Sequence, residues 1–147
     1  PASLSAKTCP KRDHRNEVSH VVRQATERPV TAGLLDTLEM PDELYRCPSF
    51  DADVIPLLRS DYNYIEDNFY SSALAVAGDM FSQKGWSHPA GTNLVGWVKH
   101  YGNSPIVYLQ GGDDSVAMGN EHFRQLVHNA VRWVSSTEAK DWARARS

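Results

Sequence analysis

The stretch LVGWVKHYGNSPIVYLQGGDD, residues 94–114, decides the architecture of this 147-residue chain. Two runs rich in β-branched and aromatic residues, 94–101 and 105–110, flank the turn Gly102-Asn-Ser, a pattern that predicts a β-hairpin. The loop Gly111-Gly-Asp-Asp114 follows, and an amphipathic helix opens near Asn120 with Glu121 in its first turn. The apolar face expected of that helix is Phe123, Leu126, Val127, Ala130, Val131 and Val134. Trp133 is assigned to packing, and His122 and His128 to the polar side.

Reading toward the N-terminus, residues 68–82 carry Phe69, Ala73, Val76, Ala77 and Met80 at helical spacing, with Asn68 as the expected cap. Residues 53–60 and 43–47 read as short strands. Pro56 confines the first of these to an edge or a bulge. Residues 29–35 form a turn in which Gly33 can take positive φ, and 18–23 alternate like a strand. Residues 1–16 mix Pro, Ser, Lys and Arg without apolar periodicity and read as a loose leader. The expected organisation is this leader, a domain over 17–136, and a polar helical tail over 137–147. Strands alternating with helices argue for an α/β fold, in which ligands sit beyond the carboxyl ends of strands. That rule points to the loop after Gln110.

Composition narrows the function classes. Apolar residues make up 41% and charged residues 22%, which excludes global disorder. A formal charge of −3 offers no basic footprint for nucleic acid. No apolar run approaches the roughly 18 residues that span a bilayer, and residues 1–17 hold no signal-type apolar core. Neither nucleic acid nor membrane is expected as a partner, and the cytoplasm is the expected location. Cys9 and Cys47 lack zinc-site spacing.

The succession Pro29-Val-Thr-Ala-Gly-Leu34, Asp42-Glu-Leu-Tyr-Arg46, Leu57-Leu-Arg-Ser-Asp61, Gly96-Trp97 through Tyr101-Gly102, Val107-Tyr108 to Gly112, and Phe123 to Trp133 resembles the ThuA-like, trehalose-utilisation family in the same order. The likeness covers roughly residues 17–136. It implies a flavodoxin-like three-layer sandwich related to class I glutamine amidotransferases. It also implies a role in carbohydrate catabolism on a disaccharide or keto-sugar. Members of that family carry early strands and helices that do not fit into 16 residues. The expectation is therefore an N-terminally truncated domain, or a leader foreign to the family, with unpaired strand edges that favour self-association. Many relatives read Gly-His where this chain has Gly112-Asp113, and His where it has Arg28 before Pro29.

Several residues are candidates for chemistry. Asp113 and Asp114 are adjacent carboxylates on a strand-end loop, suited to sugar hydroxyls, a hard cation or divided acid and base roles; the bland alternative is a solvated turn. They are the expected catalytic pair. Arg46, Arg59 and Asp61 are expected in substrate binding, with structural ion pairing as their alternative. Trp86 and Tyr101 could stack on a sugar face, and Trp97 fits either stacking or core. Cys47, in Tyr-Arg-Cys-Pro, lacks the glycine-flanked elbow of a nucleophile, so glutamine amidotransferase activity is not expected. His20 and His88 could join Asp113 around a metal, but no metal-ligand spacing is present, so no metal is assigned and the cofactor is left open. The alternatives to a sugar-processing enzyme are a non-catalytic binding or interaction module of the same fold, and an inactive truncated fragment.

Overall fold

β4 (Leu94–Tyr101) and β5 (Ser104–Leu109) form the expected hairpin, pairing antiparallel from Tyr101↔Ser104 to Gly96↔Leu109. Gly102 takes positive φ (52°) at the first position of the two-residue turn, where only glycine is unstrained. The computed structural model describes residues 18–24, 28–47 and 51–147. The remaining elements are β1 (Val18–Gln24), β2 (Thr37–Asp42), β3 (Ile55–Ser60), and the helices α1 (Ser72–Val76), α2 (Ser115–Gly119), α3 (Glu121–Ser135) and α4 (Thr137–Arg144). The strands form one sheet in the order β2-β1-β3-β4-β5.

The mixed α/β expectation holds. Every strand pairing among the described residues is antiparallel, however, rather than the parallel arrangement of a doubly wound sheet. The sheet curls, so that the carboxyl ends of its two edge strands, β2 and β5, meet. This seam is the feature that positions the candidate site.

β2 replaces the strand expected at 43–47. Its alternation buries Leu38, Met40 and Asp42 while Thr37 and Glu39 face outward. Pro41 is tolerated because β2 lies at the sheet edge. Pro56 meets the same rule differently. β3 is the middle strand, but β1 pairs only with its end, at residues 58–60, leaving Pro56 with a ladder on one side. Bulges beside Leu58 break the two-residue period and let Leu57 and Leu58 both be buried.

The helix expected over 68–82 shrinks to the five residues of α1, capped by Ser71 rather than Asn68. Gly78 leaves helical geometry at φ 93°, and Phe69 and Tyr70 are buried instead of the stripe behind them. Val76, at 90% exposure, shows that the helical spacing there buries nothing.

α3 is capped as expected by Asn120, whose side chain accepts from His122 N and Phe123 N. Its buried face is Phe123, Leu126, Ala130 and Trp133; Val131 is exposed. Helix geometry explains the exchange, since Trp133 lies about 20° from Leu126 around the axis and Val131 about 140° away. α4 falls within the helical tail expected over 137–147, and it is docked on the domain. Ala139 and Ala143 are fully buried, and Trp142 packs edge-on against Trp133 at 5.4 Å. No helix among the described residues is long and apolar enough to cross a membrane.

Candidate functional site

Asp42 is the polar residue on the inward side of β2, 3% exposed, where the strand ends against the loop after β5. A buried carboxylate must be hydrogen-bonded. Three backbone N–H groups donate to it: Gly112 at 2.6 Å and Glu43 at 2.8 Å, with Asp113 at 3.4 Å. Asp42 thus stitches the two sheet edges together. The loop must approach closely, and glycine allows it. A Cβ on Gly111 would stand 2.7 Å from Asp42 Oδ2, and Gly112 sits at φ 103° against the Phe123 ring.

Burial pushes the Asp42 carboxyl above its ordinary value, and the three N–H donors oppose this without cancelling it. A raised carboxyl pKa means the folded state holds the proton more tightly. That contribution is present in full below the unfolded value of 3.8 and is lost as pH rises through the folded value. The stability of wild type relative to Asp42→Asn should therefore fall as pH is raised from 3.8 and then level off, measured by urea denaturation across pH. A relative stability that climbs with pH would show that hydrogen bonding outweighs burial.

Beyond the stitch lies a cluster of two carboxylates and a phenol. The Tyr45 hydroxyl is 2.9 Å from Glu43 Oε2 and 2.8 Å from Asp113 Oδ1. Glu43 is buried, Tyr45 half-buried and Asp113 exposed, so the cluster runs from the interior to solvent. Burial first, then the two carboxylates, push the Tyr45 phenol well above its ordinary value and keep it protonated. The phenol has one proton for two carboxylate oxygens. Gln110 fixes the Tyr45 backbone: its Nε2 donates to Tyr45 O at 2.9 Å and its Oε1 accepts from Tyr45 N at 3.5 Å. Tyr64 donates to the same Oε1 at 3.2 Å. An internal void of about 10 Å³ lies beside Asp42, Glu43 and Gln110, at the lower limit for one water.

The residues singled out from the sequence are divided by the structure. Asp113 joins the cluster. Asp114 does not, because its carboxylate caps α2, accepting from Val116 N and Ala117 N at 2.8 Å. Adjacent carboxylates thus have separate tasks. Arg46 is 6% exposed with Gly91 pressed against its stem, which removes it from the surface. Asp61 accepts from Val21 N at 2.9 Å and extends the pairing of β1 with β3. Arg59 is held between Asp51 (2.8 Å) and Asn93 (3.0 Å). Trp86 packs beside His88 at 6.0 Å, and its indole N–H is buried without a partner among the described residues. Tyr101, 79% exposed, stands six residues along β4 from the seam, about 20 Å at strand rise.

Cys47 is half-buried, and the residues that follow it, 48–50, lie outside the described residues. Cys9 and the His20 side chain lie outside the described residues. Among the described residues no group of three or more His, Cys, Asp or Glu is disposed to hold a metal ion. Cys47→Ser should leave ligand affinity within about twofold of wild type, measured by calorimetry. A large loss in a variant that still melts cooperatively would reopen nucleophilic chemistry.

The model of one protein family, described as ThuA, trehalose utilisation, matches residues 6–134. The chain belongs to the ThuA family. No curated protein and no solved structure matches it. The ThuA match covers both halves of the seam, the Asp42-Glu-Leu-Tyr45 segment and the Gly111-Gly-Asp113 loop. Glu43, Tyr45 and Gln110 were not among the sequence candidates. The adjacency of two sheet edges that creates their cluster has no local signature. The available clue was the acidic and phenolic pair within the Asp42-Glu-Leu-Tyr45 segment.

Proposed function

We propose that this ThuA domain acts in trehalose-type carbohydrate catabolism, and that its seam binds a disaccharide or keto-sugar. The observation that carries the reading is the Tyr45 hydroxyl held between Glu43 and Asp113. A sugar presents hydroxyls that both donate and accept. Asp113, at the solvent end, suits a hydroxyl donor. The protonated Tyr45 suits an accepting oxygen, including the carbonyl of a keto-sugar. With a carbonyl held by the phenol, a neighbouring carboxylate is placed to accept a proton from the adjacent carbon or hydroxyl, which is general acid–base chemistry. Family membership supports the sugar class, and the sequence Tyr45-Arg-Cys-Pro48, without flanking glycines, argues against glutaminase chemistry.

The discriminating experiment is incubation of the purified chain with a 3-keto-disaccharide and chromatographic analysis of the products. Turnover by wild type that falls about 100-fold or more in Tyr45→Phe would establish the catalytic reading. Binding without turnover would favour the other reading, a binding module of the same fold. Neither binding nor turnover would reject both.

A further inference from the structure

An open groove of about 480 Å³ lies between the end of β3 and the residues that precede β4, within the size range of small-molecule sites. Its polar wall is Arg59, Asp51 and Asn93, and its apolar wall is formed by Tyr62, Tyr64 and Ile65.

The polar wall is set before any ligand arrives. Arg59 Nη2 donates to Asp51 Oδ2 at 2.8 Å and Nη1 to Asn93 Oδ1 at 3.0 Å. Asn93 is itself fixed, since its Nδ2 donates to Ser60 O at 2.7 Å and Ser60 N donates back to Asn93 O at 2.9 Å. Ser60 is buried. A guanidinium carries five N–H donors, and among the described residues two of them are engaged. The others remain on a half-exposed side chain that lines the groove. Such preorganisation lowers the ordering cost of binding.

Charge selects the ligand. Asp51 pairs with Arg59, so the wall presents fixed donors and acceptors with little net charge. An anion would meet the Asp51 carboxylate. A neutral molecule rich in hydroxyls can accept from Arg59 and donate to Asp51 while laying an apolar face on the tyrosines. Tyr62 and Tyr64 stand edge to face at 6.0 Å, which holds both rings in place. The Tyr64 ring lines this groove while its hydroxyl reaches Gln110, the residue that fixes Tyr45. The groove is therefore joined to the seam through one side chain.

We infer that the Arg59–Asp51–Asn93 groove is a second binding site, for a single neutral sugar ring or comparable polyol, adjacent to the seam and separate from it. The inference rests on the sugar reading of the seam only for its choice of ligand class. The test is an amide-resolved NMR titration of the whole chain with D-glucose and, separately, with glucose 6-phosphate. Saturable shifts of the Asn63 and Asn93 side-chain amides are expected with glucose, with binding read at Asn93 weakened about fivefold or more in Arg59→Met and in Asn63→Ala. Asn63 is exposed, so its variant carries the test if Arg59→Met fails to fold. The amides of Gly112 and Asp113 report the seam independently, so failure at one site is visible apart from failure at the other. No response at Asn63 and Asn93, an undiminished response in the folded variants, or tighter binding of the phosphate would overturn the inference.

Discussion

Leu126→Asp is expected to abolish the cooperative unfolding transition, whereas Gln125→Asp, one residue away, is expected to leave it in place. Leu126 is 1% exposed and packs in the central cluster with Met40, Leu58, Val95 and Phe123. The void beside it is about 10 Å³, too small to hydrate an aspartate. A buried, unpaired carboxylate with lost apolar packing costs more than about 4 kcal/mol, a large share of the stability of an ordinary domain. Gln125 faces solvent and its side chain bonds Asn129 among the described residues, so its replacement should stay within about 0.5 kcal/mol. Thermal denaturation of both variants checks the pair. Equal tolerance would mean that α3 is not docked on the sheet.

The second large effect is expected at the stitch. Asp42→Ala leaves the N–H groups of Gly112, Glu43 and Asp113 without their shared acceptor in a buried place. A loss of about 3 kcal/mol is expected, a fall of roughly 10 °C in Tm for a chain of this size. Asp42→Asn keeps an acceptor oxygen and should recover part of that loss. Distal probes sharpen the test, because opening the seam frees the 111–114 loop while α4 keeps its contacts with Trp133. Hydrogen exchange of the Gly112 and Asp113 amides should rise more than that of the α4 amides. An alanine variant as stable as wild type would show that the seam is not held by Asp42.

The parts of the fold that could be read in advance are those fixed by neighbours in the chain. The turn at Gly102-Asn103, the cap at Asn120 and the strand at 18–24 are local chemistry, and each lies within a residue of the expected turn at Gly102-Asn-Ser104, cap at Asn120 and strand at 18–23. Periodicity misled where apolar spacing had no surface to face. The Val76–Met80 spacing is helical, yet both residues are exposed, because Phe69 and Tyr70 take the buried positions. β2 was hidden by Pro41 and two acidic residues, which only its place at the sheet edge makes acceptable. Strand direction was not legible either, since pairing depends on how far apart segments close.

The candidate site was half legible for the same reason. Asp113 could be proposed from its position after a strand. Its partner residues, Glu43 and Tyr45, are 70 and 68 positions away and meet it only because the sheet curls. Asp114 looked equivalent to Asp113 until the start of α2 was placed, at which point its carboxylate became a cap.

The central claim is that the Glu43–Tyr45–Asp113 cluster is where the sugar binds. The most direct measurement is calorimetric titration of the purified chain with trehalose and its 3-keto derivative, alongside Asp113→Asn and Tyr45→Phe. Both side chains reach solvent, so the variants should melt within about 1 kcal/mol of wild type. Binding of at least one of the two sugars by wild type, weakened about tenfold or more in each variant, is the predicted result. Wild-type affinity retained in both variants would contradict it.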